Sequence, residues 1–331
     1  MTPSIAALAT LAVHLGAAQL EAAAEPEDPA VPAGTVTAAP ASSGTTELEG
    51  QGKFATTDAE ARAAEDATEL DISAGGLLST GNAFAAAATG QARFRLRRGI
   101  HQAGAEAAVN YGRADVSLLD DDGVPAGSER QTTINNVQGR VRYDVFFARR
   151  WSAFGMVTLR RDVFQGLALR TNVDPGVSFH ALVDNPKHRL AFELGYDFQY
   201  DIRCETATRE ALPGEEVDPG RCRYPVGADQ PDLEDRTRVA DDTLINHAAR
   251  IAAGYSNSLS ERVTVSTDVE YLQSVLVGRR FRLNWFSAVT TQLANRLGMS
   301  VTFTLRYENE PLPDVAKLDT ITAVLLTLRF I

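Results

Sequence analysis

Between Lys187 and Cys204, in "KHRLAFELGYDFQYDIRC", apolar and polar positions alternate. Leu190, Phe192, Leu194, Tyr196, Phe198, Tyr200 and Ile202 share one parity, while Arg189, Ala191, Glu193, Gly195, Asp197, Gln199, Asp201 and Arg203 share the other. A period of two predicts a β-strand with one apolar and one polar face. The apolar row spans thirteen residues, which at roughly 3.3 Å per residue is about 43 Å. Strands of soluble domains average about 5–6 residues. The length suits a tilted strand that crosses a bilayer and continues above it. The even row is then expected to face lipid and the odd row a polar lumen.

The same alternation predicts twelve strands, near 70–80, 82–97, 101–113, 132–147, 151–163, 167–183, 188–203, 244–257, 261–275, 281–294, 297–308 and 319–331. Outward rows read Val137, Val141 and Tyr143 in the fourth, Val263, Val265, Val269 and Tyr271 in the ninth, and Leu297 to Tyr307 at every second position in the eleventh. The connections fall into two classes. "RRGIH", "ARRW", "DNPKH", "SLSE" and "ANRL" are tight and follow the even-numbered strands, whereas 114–131, 204–243 and 309–318 are long. Tight turns on one side and variable loops on the other describe an up-and-down barrel of the outer-membrane type, with both termini on the tight-turn, periplasmic side. A Greek-key sandwich would not segregate its loops in this way. Aromatic residues form two bands. Phe94, Phe147, Trp151, Phe179, Phe192 and Phe330 lie toward the tight turns, and Phe84, Tyr111, Tyr200, Tyr271, Phe281 and Tyr307 toward the loops. The expected fold class is therefore all-β, a single antiparallel transmembrane barrel of about 12 strands covering residues 70–331.

Residues 1–24 resemble a secretory signal peptide, with an apolar stretch from Ile5 to Leu20 and small residues at Ala22–Ala24, although no basic residue precedes the stretch. Residues 25–69 hold few bulky apolar side chains and read as a disordered periplasmic arm, with Thr57 and Glu60 at capping-box spacing for a short helix near 57–68. The net charge of −11 over 331 residues argues against nucleic acid as a partner. The last strand, "TITAVLLTLRFI", carries alternate apolar residues to Phe330 and resembles the signal read by the barrel assembly machinery, except that Ile331 ends the chain.

Cys204 and Cys222 flank 17 residues of a hydrophilic loop. In an exported protein they are expected to form a disulfide. Residues 205–242 carry eleven Asp or Glu against five Arg, a net of −6. The loop could hold divalent cations that bridge lipopolysaccharide; a solvated surface loop is the plainer reading. The inward rows are rich in charge: Arg93, Arg95, Arg97, Glu106, Arg140, Arg142, Asp144, Arg160, Arg170, Glu193, Asp197, Arg250, Arg262, Asp268, Glu270, Arg282 and Arg306 are lumen-lining candidates. Arg93, Arg95 and Arg97 form a basic ladder whose partners, if any, must come from neighbouring strands, with Glu106 and Asp144 the nearest choices. Such rows either select small ions and solutes in a pore or pair with one another and fill the interior. Twelve strands lie between filled eight-stranded barrels and open sixteen-stranded porins, so size does not decide. Of the histidines, only His247 is expected on the lipid face near a membrane boundary. No serine elbow accompanies it, so a lipid-modifying enzyme is a distant alternative. No cofactor or metal is expected.

The block Tyr143–Asp201, above all "RRDVFQGLALR" and "DNPKHRLAFELG", and the first hairpin "GGLLSTGNAF" resemble the salt-induced outer-membrane protein family, a domain of unknown function. The resemblance spans roughly residues 70–331 and implies an outer-membrane location. It transfers no catalytic residue. Departures are the cysteine-bearing loop and Pro175, which cannot donate to a ladder and predicts a bulge or irregular edge. The expected function is a small channel or an osmotic-stress envelope barrel, with a non-conducting structural barrel as the alternative.

Overall fold

A computed structural model describes residues 67–79, 84–119, 125–182, 187–212, 220–224, 236–294, 296–313 and 315–329. Twelve strands follow in chain order: β1 (Ala67–Ser79), β2 (Ala85–Arg98), β3 (His101–Leu119), β4 (Pro125–Ala148), β5 (Trp151–Asp162), β6 (Leu167–His180), β7 (His188–Arg203), β8 (Thr243–Ser258), β9 (Val263–Ser274), β10 (Phe281–Gln292), β11 (Leu297–Glu308) and β12 (Leu318–Arg329). Each pairs antiparallel with its neighbour, and β1 pairs with β12 to close a barrel. Residues 1–66, which hold the expected signal peptide and all but the end of the expected disordered arm, fall outside the described residues, as do the C-terminal Phe330 and most of the short helix placed at 57–68; the arm's last three residues, Ala67–Glu69, are strand and not disordered. The last two positions of that helix, Ala67 and Thr68, open β1.

Alternation sets the wall. Along β5 every second residue from Ser152 to Asp162 is buried. Along β7, Phe192, Leu194 and Tyr196 are exposed while Glu193, Asp197, Gln199 and Asp201 are buried. In an ordinary soluble protein this pattern would be inverted, because apolar side chains are normally the buried ones. A belt of exposed apolar residues encircles the molecule, from Val141 and Leu159 through Ile251 and Val289 to Val324 and Leu326. Phe94, Phe147, Trp151 and Phe192 lie toward the tight turns and Tyr111 toward the loops, all exposed. No helix among the described residues is long and apolar enough to cross a membrane. The closed ladder satisfies the backbone while the belt faces outward, so the structure is that of a membrane-spanning β-barrel.

The turns after β2, β4 and β8 are tight. Gly99, with φ of 55°, makes the first of them. The loop expected at 114–131 is instead mostly strand. β3 and β4 run 19 and 24 residues and continue beyond the barrel as a hairpin, paired out to Leu119 and Pro125. A register shift between Gly112 and Arg113 marks where the hairpin departs. That shift hides the alternation across the junction, which is why the segment reads as a loop.

Pro175 produces an irregularity but no bulge. β6 and β7 pair at Val173↔Phe198 and resume at Gly176↔Gly195 in unchanged register. The missing N–H removes ladder bonds without inserting a residue. Gly176 and Gly195 sit beside it. A Cβ on Gly176 would lie 2.5 Å from the Phe154 ring and 2.7 Å from the Leu194 carbonyl oxygen. The two glycines thus leave room for the Phe154 ring inside the wall.

On the loop side, Cys204 and Cys222 form the expected disulfide. The short helix α1 (Glu205–Thr208) follows Cys204, and a bridge between Arg209 and Arg238 ties the two limbs of the loop.

Gly176→Ala is expected to destabilise the barrel by about 2 kcal/mol, within the usual range for overpacking. The urea midpoint of refolded barrel in lipid vesicles measures it. Gly155→Ala, where a Cβ would meet nothing within 4 Å, serves as the control and is expected to stay near wild type.

Candidate functional site

The barrel interior is where this sequence concentrates its charge. Inward positions on successive strands lie at matching heights because the register is continuous, so side chains can meet around the wall and across it. The central group begins with Glu193 on β7. It receives Arg142 Nη2 from β4 at 2.8 Å and Arg250 Nη1 from β8 at 2.8 Å. Ser178 on β6 donates to the same carboxylate at 3.0 Å. Arg250 continues to Glu270 on β9 at 2.6 Å, and Glu270 accepts from Asn284 on β10 at 2.8 Å. Arg142 also binds Asp144 at 2.7 Å. Phe154 lies between the two arginines, with the Arg142 guanidinium 4.1 Å and that of Arg250 5.5 Å from its ring centre. Both guanidiniums therefore keep an apolar face covered while two nitrogens of each meet carboxylates or hydroxyls, which suits arginine better than lysine.

This chain of contacts reaches from β4 to β10 and shuts out solvent. Arg250 is 0% exposed, Asp144 1% and Glu193 2%. Phe154, Met156, Leu272, Phe286 and Leu325 fill space between the polar rows.

Above it, toward the loops, a second group forms. Arg170 grips both oxygens of Asp201 at 2.8 Å each. Arg160 binds Asp162 at 2.8 Å, and Gln165 at 2.7 Å. Gln165 in turn donates to Asp319 across the barrel at 2.6 Å. Asp197 accepts from Asn172 at 2.6 Å and faces Arg282 at 3.3 Å. Toward the tight turns, the basic ladder is matched strand by strand. Arg93 meets Glu106 at 3.3 Å, and Arg140 reaches the same carboxylate at 3.5 Å. Arg95 meets Glu69 at 2.5 Å. Arg97 packs 4.2 Å over Phe146 and donates to the Gly99 carbonyl. Asp268 and Arg306 are also buried on inward rows.

Arg262 stands apart from the other sequence-predicted positions. It has the inward parity of β9 but lies in the turn before Val263, exposed at the rim. Parity alone does not say where a strand leaves the barrel. Glu69 went unrecognised because the first strand was expected to begin one residue later; its register opposite Arg95 is the signal that identifies it. The inward apolar residues were also missed. Leu325 stands next to outward Val324 and Leu326, so the local alternation that marks an inward position is lost.

The four described histidines each have a local hydroxyl partner. His180, the last residue of β6, is buried beside the tight turns with Ser152 Oγ 3.3 Å from Nε2. His247, on the outer row, hydrogen-bonds the Tyr196 hydroxyl. His101 and His188 meet the hydroxyls of Tyr143 and Tyr255 in the same manner, at 2.7 and 2.8 Å. Each pair gives a boundary histidine a local partner and an apolar stack. Among the described residues, no group of three His, Cys, Asp or Glu side chains is placed to hold a metal.

The family model for a protein of unknown function, DUF481, matches residues 72–330. The chain belongs to the DUF481 family. Solved structures similar to this family member include the NanC porin, with a TM-score of 0.40 and 12% identity over 79% of this chain and 99% of that one. The COG4313 outer membrane channel from Pseudomonas putida F1 has a TM-score of 0.40 and 10% identity over 80% and 96% of the two chains. The Pseudomonas putida toluene transporter TodX has a TM-score of 0.36 and 9% identity over 88% and 96%. No curated protein matches the chain.

Two expectations follow for this DUF481 barrel. Glu193→Gln leaves Arg142 and Arg250 without their shared carboxylate, and loss of one partner of a buried pair typically costs about 3 kcal/mol or more. Its urea midpoint should fall well below that of Arg262→Gln, expected within about 0.5 kcal/mol of wild type as an exposed surface change. The second concerns the cysteine loop. Asp242 accepts from Arg209 at 2.6 Å, and from Thr208 and Arg238, and this pairing holds its carboxyl down at about 2. A depressed carboxyl stabilises the paired form above its unfolded value of about 3.9. That contribution fades as pH falls toward 2. Pepsin cleavage within 204–242 should therefore rise from pH 4 to pH 2 in wild type by more than in Asp242→Asn, which is already unpaired at pH 4.

Proposed function

We propose that this protein is a bacterial outer-membrane barrel, both termini periplasmic, whose lumen is shut by its own side chains. It would serve the envelope as a structural barrel and not as an open diffusion pore. The observation that carries this reading is the Arg142–Glu193–Arg250–Glu270 chain, which bridges β4 to β9 with almost no exposed surface. A permanently open channel would keep wall charges wet. Here they are paired, hydrogen-bonded and covered by Phe154. The sequence reading of a small channel gives way to its alternative on this ground. An envelope role under osmotic stress, which the family resemblance implies, fits a rigid barrel. So do contacts with lipopolysaccharide outside and with the assembly machinery through the last strand.

Planar-bilayer recording of the refolded full chain tests the proposal. Wild type should give no stable stepwise conductance, although its gel mobility shifts on heating. The pair of changes Glu193→Ala and Arg250→Ala, made together so that neither is left buried without the other, should bring measurable steps. Regular steps from wild type would overturn the closed reading and restore the channel.

A further inference from the structure

The two ends of the barrel differ in charge. Each of the five connections on the tight-turn side, after β2, β4, β6, β8 and β10, carries an exposed cation: Arg98 beside the first, Arg149 and Arg150 in the second, Lys187 in the third, Arg262 in the fourth and Arg296 in the fifth. Among the described residues of these connections, one carboxylate, Glu261, stands against them. At the other end residues 205–242 carry a net of −6, in a chain of −11.

The cations sit at a defined level of the wall. Phe147 and Trp151, exposed on the outer face, bracket Arg149 and Arg150, and Trp151 packs on Phe179 with ring centres 4.8 Å apart. Lys187 precedes His188, and Arg98 pairs opposite His101 in the ladder. Each of these histidines is bound to a tyrosine hydroxyl. Aromatic rings with a polar edge settle where hydrocarbon gives way to headgroups. The charges lie opposite these rings or one or two residues beyond them, within about 7 Å at roughly 3.3 Å per residue. That is the layer of the lipid phosphates.

We propose that this rim docks the anionic phospholipid headgroups of the periplasm-facing leaflet and gathers them around the barrel. Guanidinium groups match phosphate oxygens with paired N–H donors, and cations at an anionic leaflet are attracted to it within a Debye length. The inference rests on the proposed setting, in which the tight turns meet the phospholipid leaflet and the acidic loops meet lipopolysaccharide. It does not depend on whether the lumen conducts.

The chain's two tryptophans supply one reporter for each end. Trp151 opens β5 at the rim, and Trp285 lies in the loop-side half of β10, both exposed on the outer face. The full chain carrying Trp285→Phe or Trp151→Phe is refolded into vesicles of equimolar phosphatidylcholine and phosphatidylglycerol, with one lipid or the other brominated in its acyl chains. Fluorescence quenching then reads which lipid lies beside the remaining ring. At Trp151 phosphatidylglycerol should be favoured about fivefold, the effect of one cation near an anionic surface. The preference should fall toward one as salt rises to about 1 M, where the Debye length is about 3 Å. At Trp285 the two lipids should quench alike. Arg149→Gln with Arg150→Gln, both exposed changes, should abolish the preference at Trp151 and leave the heat-dependent gel shift in place. Equal quenching at Trp151, the same preference at both tryptophans, or a preference that survives high salt or the double change would each overturn the rim. A barrel that inserts and shows no preference overturns the rim alone, because the closed lumen is judged by conductance.

Discussion

The structure depends on one constraint: a backbone in lipid must satisfy its own N–H and C=O groups. Closing twelve strands on themselves does so, with β1 meeting β12 at Asp71↔Arg329 through Ala74↔Leu326. Everything else follows from closure. A closed sheet has two faces and a fixed period, so each strand must place alternate side chains in lipid and in the interior. Once the outer row is Val, Leu, Ile and aromatic, the inner row is what remains. Here it is arginine and carboxylate. The seam shows how tight closure is: a Cβ on Gly75 of β1 would lie 2.5 Å from the Val324 carbonyl of β12.

An interior of charges carries its own demand. Removing an ion from water costs several kcal/mol unless it is paired and hydrogen-bonded. The barrel meets this with shared partners more than with isolated pairs. Glu193 serves two arginines, and Arg250 serves two glutamates. Each link crosses from one strand to another, so the network braces the cylinder as well as filling it. The aromatic ring of Phe154 covers the guanidinium faces that no carboxylate can reach. Such an interior favours a single geometry, because its central charges are shared between strands.

Much of this was legible in the sequence, and the reason is physical. A membrane barrel writes its fold as a period-two pattern, and the pattern is longest where the strand crosses lipid. β7 and β11 were bounded to the residue for that reason. The pattern fails where the strands leave the membrane. β3 and β4 continue past the barrel, where both faces meet water and alternation has no cause to persist. It also fails at Leu325, where an apolar residue packs inward between outward neighbours. Which inward residues occupy a row is readable; which partner each takes is not, because partners such as Arg142 and Glu193 lie three strands apart. That distance is set by barrel curvature and not by spacing along the chain.

The same logic separates the two ends of the interior. In the middle, acids and bases are matched and the ladder from Arg93 to Arg97 finds Glu106, Glu69 and a carbonyl. At the loop-side mouth six cations face four carboxylates, with Arg160 and Arg282 finding their acids in Asp162 and Asp197. Pairing is densest in the middle, where Glu193 and Arg250 each serve two partners on different strands, and it loosens toward the loop-side mouth, so the rigidity of the closed barrel is supplied from its centre.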